Sequence, residues 1–215
     1  MLKIEDAGDG IRCIGLDRAA KRNAIGVEMT FALQDTLSRT KHDASVHTLI
    51  FHGIGGHFSA GMDMKAFYAS STRPPDELHR ARAATEHWRV RLLREMPQTL
   101  ISAVQGYCLG SALPLVAASD IVLAGKDTRF GLPEINFGFV PGGQILQFAG
   151  TRMTPRGLSY AALTGRPFDA EQGKRWGLVS EVVDGDPLDH ALALARDLAQ
   201  RRAGKPFALP AQDLV

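Results

Sequence analysis

Apolar residues along the chain fall into short continuous blocks separated by stretches with helical spacing. Leu2–Glu5 and Ile11–Leu16 read as two short strands around the turn Asp6-Ala-Gly-Asp-Gly10. Val27–Thr40 puts Met29, Ala32, Leu33 and Leu37 on one stripe, which predicts a helix. Thr48–His52 reads as a buried strand ended by Gly53-Ile-Gly-Gly56. Pro74-Pro75-Asp76 marks a helix start, and Leu78, Ala81, Thr85, Trp88 and Leu92 follow at helical spacing until Pro97 stops them. That stripe predicts core packing, with Arg80, Arg82, Arg89, Arg91 and Arg94 on a solvated face. Leu100–Val104 is the next predicted strand. Gly106 then opens a turn into the apolar segment Ser111–Ala118, and Ile121–Ala124 is another strand. Short helices are expected near 143–149, 154–163 and 170–176, then a strand over Leu178–Val183 and a closing helix over Leu188–Arg202.

The order is strand, strand, helix, loosely repeated, with no fixed period and no linker rich in Ser, Pro or Gly. The pattern predicts one mixed α/β domain, with residues 1–185 as its core and 186–215 as a short helical tail.

Composition narrows the function. The 215 residues carry a net charge of only +2, which removes the basic face that nucleic-acid binding needs. Apolar residues make up 45%, enough for a sizeable core. The charged start Met1-Leu-Lys-Ile-Glu-Asp has no apolar signal core, and the longest apolar run falls well short of a membrane span. A soluble cytoplasmic protein with neither nucleic-acid nor membrane partners is expected. Cys13 and Cys108 are too few for a disulfide framework or zinc ribbon, and seven scattered histidines suggest no metal site. Hydrolase elbows, P-loops, zincin motifs and dinucleotide fingerprints are all missing.

Two strand–glycine–helix junctions remain, Phe51–Lys65 and Val104–Pro114. Glycines let a backbone approach a ligand closely, and the start of a helix leaves N–H groups that suit a developing negative charge. Each junction alone is equally readable as a structural turn.

Taken together, several motifs in order carry more. Phe58-Ser-Ala-Gly-Met-Asp63, Gly106-Tyr-Cys-Leu-Gly110, Ser119-Asp120 and Phe130-Gly-Leu-Pro-Glu-Ile135 resemble the enoyl-CoA hydratase/isomerase (crotonase) superfamily. Lys21-Arg-Asn-Ala24, Leu163-Thr-Gly165 and Gly177-Leu-Val179 support the likeness, which spans about residues 11 to 183. Within the superfamily, Ala60–Lys65, Trp88–Arg94 and Glu134–Gly138 followed by Pro141-Gly142 look similar to the hydroxycinnamoyl-CoA (feruloyl-CoA) hydratase-lyase branch.

The resemblance implies a spiral of ββα units and a pocket for a CoA thioester, with coenzyme A part of the substrate and no other cofactor. It implies that the thioester oxygen is held by the backbone N–H groups of Met62 and Ser111, their side chains being incidental. Glu134 stands at the second of two family glutamate positions, and Pro114 occupies the first, which puts two-carboxylate hydration in doubt. One carboxylate beside an enolate still serves as a proton shuttle. Hydration with or without retro-aldol cleavage, double-bond isomerisation, and another enolate reaction such as decarboxylation or thioester hydrolysis all stay open. So does a non-catalytic acyl-CoA-binding or partner subunit. Lys21, Arg22, Ala24, Ala60 and Lys65 are candidates for CoA contacts, and Phe67, Tyr68, Pro114 and Phe137 for the acyl pocket. Phe67 stands where that branch has a phenol-gripping tyrosine, so an apolar acyl or aryl group suits it better. Loop 66–75 is expected to set specificity. Asp63 and Asp120 read as structural, as does Cys108. The family implies a homo-oligomer, trimer or hexamer, and a longer C-terminal region than this chain has; a natural short form with a more open site and a truncated chain both fit.

Overall fold

A computed structural model describes residues 1–68, 73–142 and 144–202 of the chain. Part of the expected specificity loop (69–72), Gly143 of the Pro141-Gly-Gly143 loop and the tail 203–215 lie outside the described residues.

Strands β1 (Leu2–Asp6) and β2 (Ile11–Leu16) form an antiparallel hairpin at one edge of a six-stranded sheet. The remaining strands all run parallel: β3 (Thr48–Gly53), β4 (Thr99–Val104), β6 (Ile121–Gly125) and β9 (Glu181–Val183), in spatial order β1-β2-β3-β4-β6-β9. Parallel strands need covering on both faces, and β3 shows how the sequence supplies this. All six of its residues are buried. Leu49 and Phe51 join the cluster formed with Met29, Leu33 and Leu37 of helix α1 (Val27–Lys41). Ile50 points the opposite way and joins Ile101, Ala191 and Ala195, the last two on α8 (Pro187–Arg202). The two-residue strand period thus sorts one apolar run between two cores.

A second, three-stranded sheet is built from much shorter pieces. These are β5 (Tyr107–Leu109), β7 (Arg129–Gly131) and β8 (Phe168–Asp169), in the order β5-β7-β8. β4 passes through Gln105-Gly106 straight into β5, then into helix α4 (Leu113–Ala118); β6 passes likewise into β7. Each of these turns therefore gives one strand to each sheet, the pattern of the spiral of ββα units expected. Isolated parallel bridges between Ser59 and Cys108, and between Ile25 and Met62, carry the second layer back into the earlier turns.

The structure corrects three readings. The strand expected over Leu178–Val183 pairs only from Glu181, because the N–H groups of Leu178 and Val179 both bond the Gly173 carbonyl as the chain leaves α7 (Ala170–Arg175). The helix from Pro74 is not continuous: α3 (Pro75–Glu86) widens into a π-helical turn over His87–Leu92, followed by a 3₁₀ turn at Leu93–Glu95. The widened turn rotates the following side chains away from α-helical register. Trp88 stays in the core, and Arg89, expected on the solvated face, is also buried at 4% exposure. Its guanidinium lies 5.6 Å from the Trp88 ring, and burial pushes its pKa down to about 10. Thirdly, β5, β7, β8, helix α2 (Met64–Tyr68) and the 3₁₀ turn Pro133–Phe137 were not foreseen. Two to five residues are too short to display a period.

Candidate active site

The two glycine junctions are far apart in sequence but adjacent in the second layer. Ser59 N–H donates to the Tyr107 carbonyl and Leu109 N–H donates back to the Ser59 carbonyl, at 2.9 and 3.0 Å. Across the other edge, Ile25 N–H donates to Gly61 and Asp63 N–H to Ile25. These bonds consume the groups on either side of Met62. Among the described residues neither Met62 N–H nor Ser111 N–H has an acceptor. Gly61 adopts φ +87°, and a Cβ there would lie 2.6 Å from the Leu109 carbonyl oxygen and 3.3 Å from Ser111 N. A side chain at 61 would thus occupy the space between the two junctions.

Glu134 reaches the same place from the third turn. The 3₁₀ turn Pro133–Phe137 follows β7 and closes on Gly138, whose N–H bonds the Glu134 and Ile135 carbonyls. The pairing of β7 with β5 brings this turn beside Gly110. A Cβ on Gly110, at φ +51°, would lie 2.7 Å from Glu134 Oε1. The carboxylate therefore packs directly on the glycine preceding Ser111. Glu134 Oε2 is buried without a hydrogen-bond partner among the described residues, as is Ser111 Oγ. Burial pushes the Glu134 pKa above the usual glutamate range, against a smaller opposing pull from its own backbone N–H. Pro114 is buried in the first turn of α4, where its missing N–H leaves no bond unmade.

Lys21, Arg22, Ala24 and Ala60 form one ridge. Ala60 N–H donates to the Arg22 carbonyl (2.8 Å), and Ala24 N–H to that of Lys21 (3.0 Å). Lys21 and Arg22 are exposed, as is Lys65 on α2. Phe67 is buried with Val27 and Ala81, and Met62 packs against that cluster. Tyr68 is 65% exposed, with the Arg82 guanidinium 5.3 Å from its ring, and Phe137 is 73% exposed beside Phe139.

Two residues that hold the site together were missed as such. Asn23 is wholly buried: its Oδ1 accepts from Arg18 N, and its Nδ2 donates to the Ile54 and His57 carbonyls. It thereby ties the ridge to the first glycine loop. Ser59 Oγ donates to the Asn23 carbonyl and accepts from Gly61 N–H. The presence of Asn in a Lys-Arg-Asn-Ala turn was the available clue, since Arg22 and Asn23 both adopt positive φ and Asn tolerates that region.

The residues read as structural are so placed. Asp63 Oδ1 accepts the Ala66 N–H at the start of α2 and Oδ2 pairs with Arg18 at 2.7 Å. Asp120 accepts Leu100 N–H. Cys108 is fully buried, which raises its thiol pKa and keeps it protonated. His57 stacks on Tyr107, and burial lowers the His52 pKa.

A spiral of ββα turns in two layers is the fold that the sequence motifs imply, and comparison with known proteins agrees. The sequence profile of the enoyl-CoA hydratase/isomerase family matches residues 6–208, and the chain belongs to that family. It is similar to a hydroxycinnamoyl-CoA hydratase-lyase of Pseudomonas fluorescens, 30% identical over 90% of this chain and 71% of that protein. It is also similar to a 1,2-epoxyphenylacetyl-CoA isomerase of Escherichia coli (strain K12), at 31% identity over 88% of this chain and 73% of the relative. The fold superposes on an enoyl-CoA hydratase/isomerase from Marinobacter aquaeolei with a TM-score of 0.82, 26% identity, and coverage of 92% of this chain and 76% of the other. The chain is a CoA-thioester enzyme of the hydratase/isomerase type.

Proposed function

We propose that this enzyme hydrates an enoyl- or aryl-enoyl-CoA, with or without retro-aldol cleavage, through a thioester enolate and a single working carboxylate. The observation that carries the reading is the packing of Glu134 Oε1 against Gly110, next to the unaccepted N–H of Ser111 and across from that of Met62. Those two N–H groups hold the thioester oxygen and take up the negative charge that grows on it; preorganised donors of this kind are worth about 10²–10³ in rate each. Glu134, ionised, removes a proton from water as the oxygen adds to C3, then delivers that proton to C2. Pro114 supplies no second acid or base.

The substrate's own coenzyme A is the only CoA the chemistry needs. Its phosphates meet Lys21, Arg22 and Lys65, and its chain lies along the backbone at Ala24 and Ala60. Pro114 and Phe67 wall the acyl group, with Tyr68 and Phe137 at its outer end. The likeness to a hydroxycinnamoyl-CoA hydratase-lyase supports an aryl substrate. A cytoplasmic homo-oligomer is the expected setting. Isomerisation of a 3-enoyl-CoA is the second reading, favoured by the same lone carboxylate, because moving a double bond needs one proton shuttle and no water.

Crotonyl-, cinnamoyl- and 3-enoyl-CoA, followed by thioester absorbance, test the reading. Hydration should bleach the conjugated absorbance of the first two, and isomerisation should create it from the third. Glu134→Gln should abolish turnover and leave CoA binding intact. Equal behaviour of wild type and variant on every thioester would remove Glu134 from the chemistry.

A further inference from the structure

We propose that the hydroxyl of Ser111 is a second polar contact to the reacting water, taking the position left without a carboxylate by Pro114. The inference rests on the hydratase reading above and deepens it, since the backbone of Ser111 alone figures there.

Three observations converge on it. Ser111 is only 5% exposed, yet its Oγ has no hydrogen-bond partner among the described residues. Glu134 Oε2 is in the same condition. The two residues meet at one glycine: Glu134 packs on Gly110, and Ser111 is the next residue, its Cα about 3.8 Å further along the chain. Buried polar atoms left unpaired are rare in folded proteins, where such groups find protein or water partners. These two oxygens do not bond each other. A single water between them satisfies both, as buried waters commonly do.

The chemistry fits that arrangement. An ionised carboxylate only accepts, and a serine oxygen accepts as well as donates. A water giving one hydrogen to Glu134 Oε2 and the other to Ser111 Oγ keeps a lone pair for C3 of the enoyl thioester. As the C3–O bond forms, the O–H bond toward Glu134 breaks and its proton passes to the carboxylate. The C2=C3 electron pair moves onto the thioester oxygen, which the two backbone N–H groups hold. Collapse of that enolate takes the proton from Glu134 to C2, and one water has added across the double bond. Ser111 Oγ keeps its own proton throughout; it orients.

The prediction separates steps that need water from those that do not. Ser111→Ala keeps the backbone N–H and fits the non-strained backbone there. It is compared with wild type in hydration of crotonyl- or cinnamoyl-CoA, whichever wild type turns over faster, and in exchange of the C2 hydrogen of butanoyl-CoA with D₂O. Exchange uses the same N–H groups and Glu134 but no adding water. The variant should lose about ten- to a hundredfold in kcat for hydration, the scale of one hydrogen bond to a charged or reacting group. Its KM should stay within about threefold, and the ratio of hydration to exchange should fall at least tenfold. Hydration at the wild-type rate, or an equal loss in both assays, would overturn the proposal and leave the side chain a packing role. A wild type that hydrates nothing yet exchanges C2 hydrogens through Glu134 would overturn the hydratase reading and this inference with it. Glu134→Gln that still hydrates would remove Glu134 from the chemistry and with it the water position proposed here, while leaving the hydratase reading in place.

Discussion

The two sheets divide the labour of the molecule unequally. The larger is made of five- and six-residue strands, apart from the three-residue β9, with β3 buried on both faces between α1 and α8. The smaller has strands of two or three residues, is threaded with glycines, and brings together Met62, Ser111 and Glu134. The large sheet holds its place by apolar area removed from water. The small one joins that core through Cys108, Phe130 and Phe168, but its junctions are tied by backbone bonds and by Asn23 and Ser59, and its glycines give up side-chain packing so that backbone groups can approach a ligand. Stability and chemistry are thus assigned to different layers of the same spiral, which makes them separable by mutation.

The sharpest contrast sets Glu134→Gln against a core truncation. Loss of the carboxylate should lower turnover by about 10²–10⁴-fold, while the thermal midpoint holds or rises, because the variant no longer buries an ionisable group. Phe51→Ala, in the large sheet, should do the reverse. Denaturant unfolding should show a loss of about 3–5 kcal/mol, with turnover per folded molecule little changed. If Phe51→Ala cut turnover of the folded fraction as deeply as Glu134→Gln, the division would fail.

Gly110→Ala probes the small sheet at its tightest point. A Cβ at a left-handed residue costs about 1–2 kcal/mol, and here it also displaces Glu134 Oε1. A displacement of about 1 Å costs on the order of 10²-fold in rate, so steady-state kinetics should register the substitution far more than calorimetry does. Asp63→Asn should have a smaller effect, about 1 kcal/mol, by weakening the cap on α2 and the pair with Arg18. Burial opposes ionisation of Asp63, but the Arg18 and Ala66 hydrogen bonds outweigh it and hold its pKa below the usual aspartate value. Its contribution is therefore full above the unfolded pKa and is lost as pH falls through the depressed native one; the gap between variant and wild type should close over that acid range in pH-dependent melts.

The mildest prediction concerns pH and rate. The proposed reaction uses Glu134 ionised, and burial raises its pKa, so the acid limb of kcat/KM should lie above the ordinary glutamate range. The linked stability has the opposite sign to that of Asp63: it is full below the unfolded pKa and is lost as pH rises through the raised native value. An acid limb at or below the ordinary range would mean that Glu134 is solvated during turnover.

The same division decides what could be read from the sequence. β2, β3, β4 and β6, helices α1 and α8, and the helix Pro155–Thr164 lie within one or two residues of expectation, because each displays a period or an apolar run with a sharp boundary. Gly106-Tyr-Cys-Leu-Gly110 read only as a turn, since β5 exists by virtue of its pairing with Arg129–Gly131 and Ser59, partners that no local window contains. Glu134, Met62 and Ser111 were singled out by motif order; their convergence is tertiary. Arg89 leaves the face that an α-helical period assigns it because it sits in a π-helical turn, where the angle per residue is smaller. Asn23 stands in the Lys-Arg-Asn-Ala motif, but its role depends on carbonyls of Ile54 and His57, over thirty residues away.

The bridge between Ser59 and Cys108 has a kinetic consequence. Nearby, Tyr107 N–H meets His57 across fifty residues of chain, and Glu134 arrives only when a third turn is laid down. Parallel strands joined by long crossovers form late, after the entropy of closing each loop has been overcome. No single turn of the spiral contains the two backbone N–H groups and the carboxylate together. During refolding, helical circular dichroism should therefore recover first and thioester turnover last, so that activity clocks the closing of the third turn.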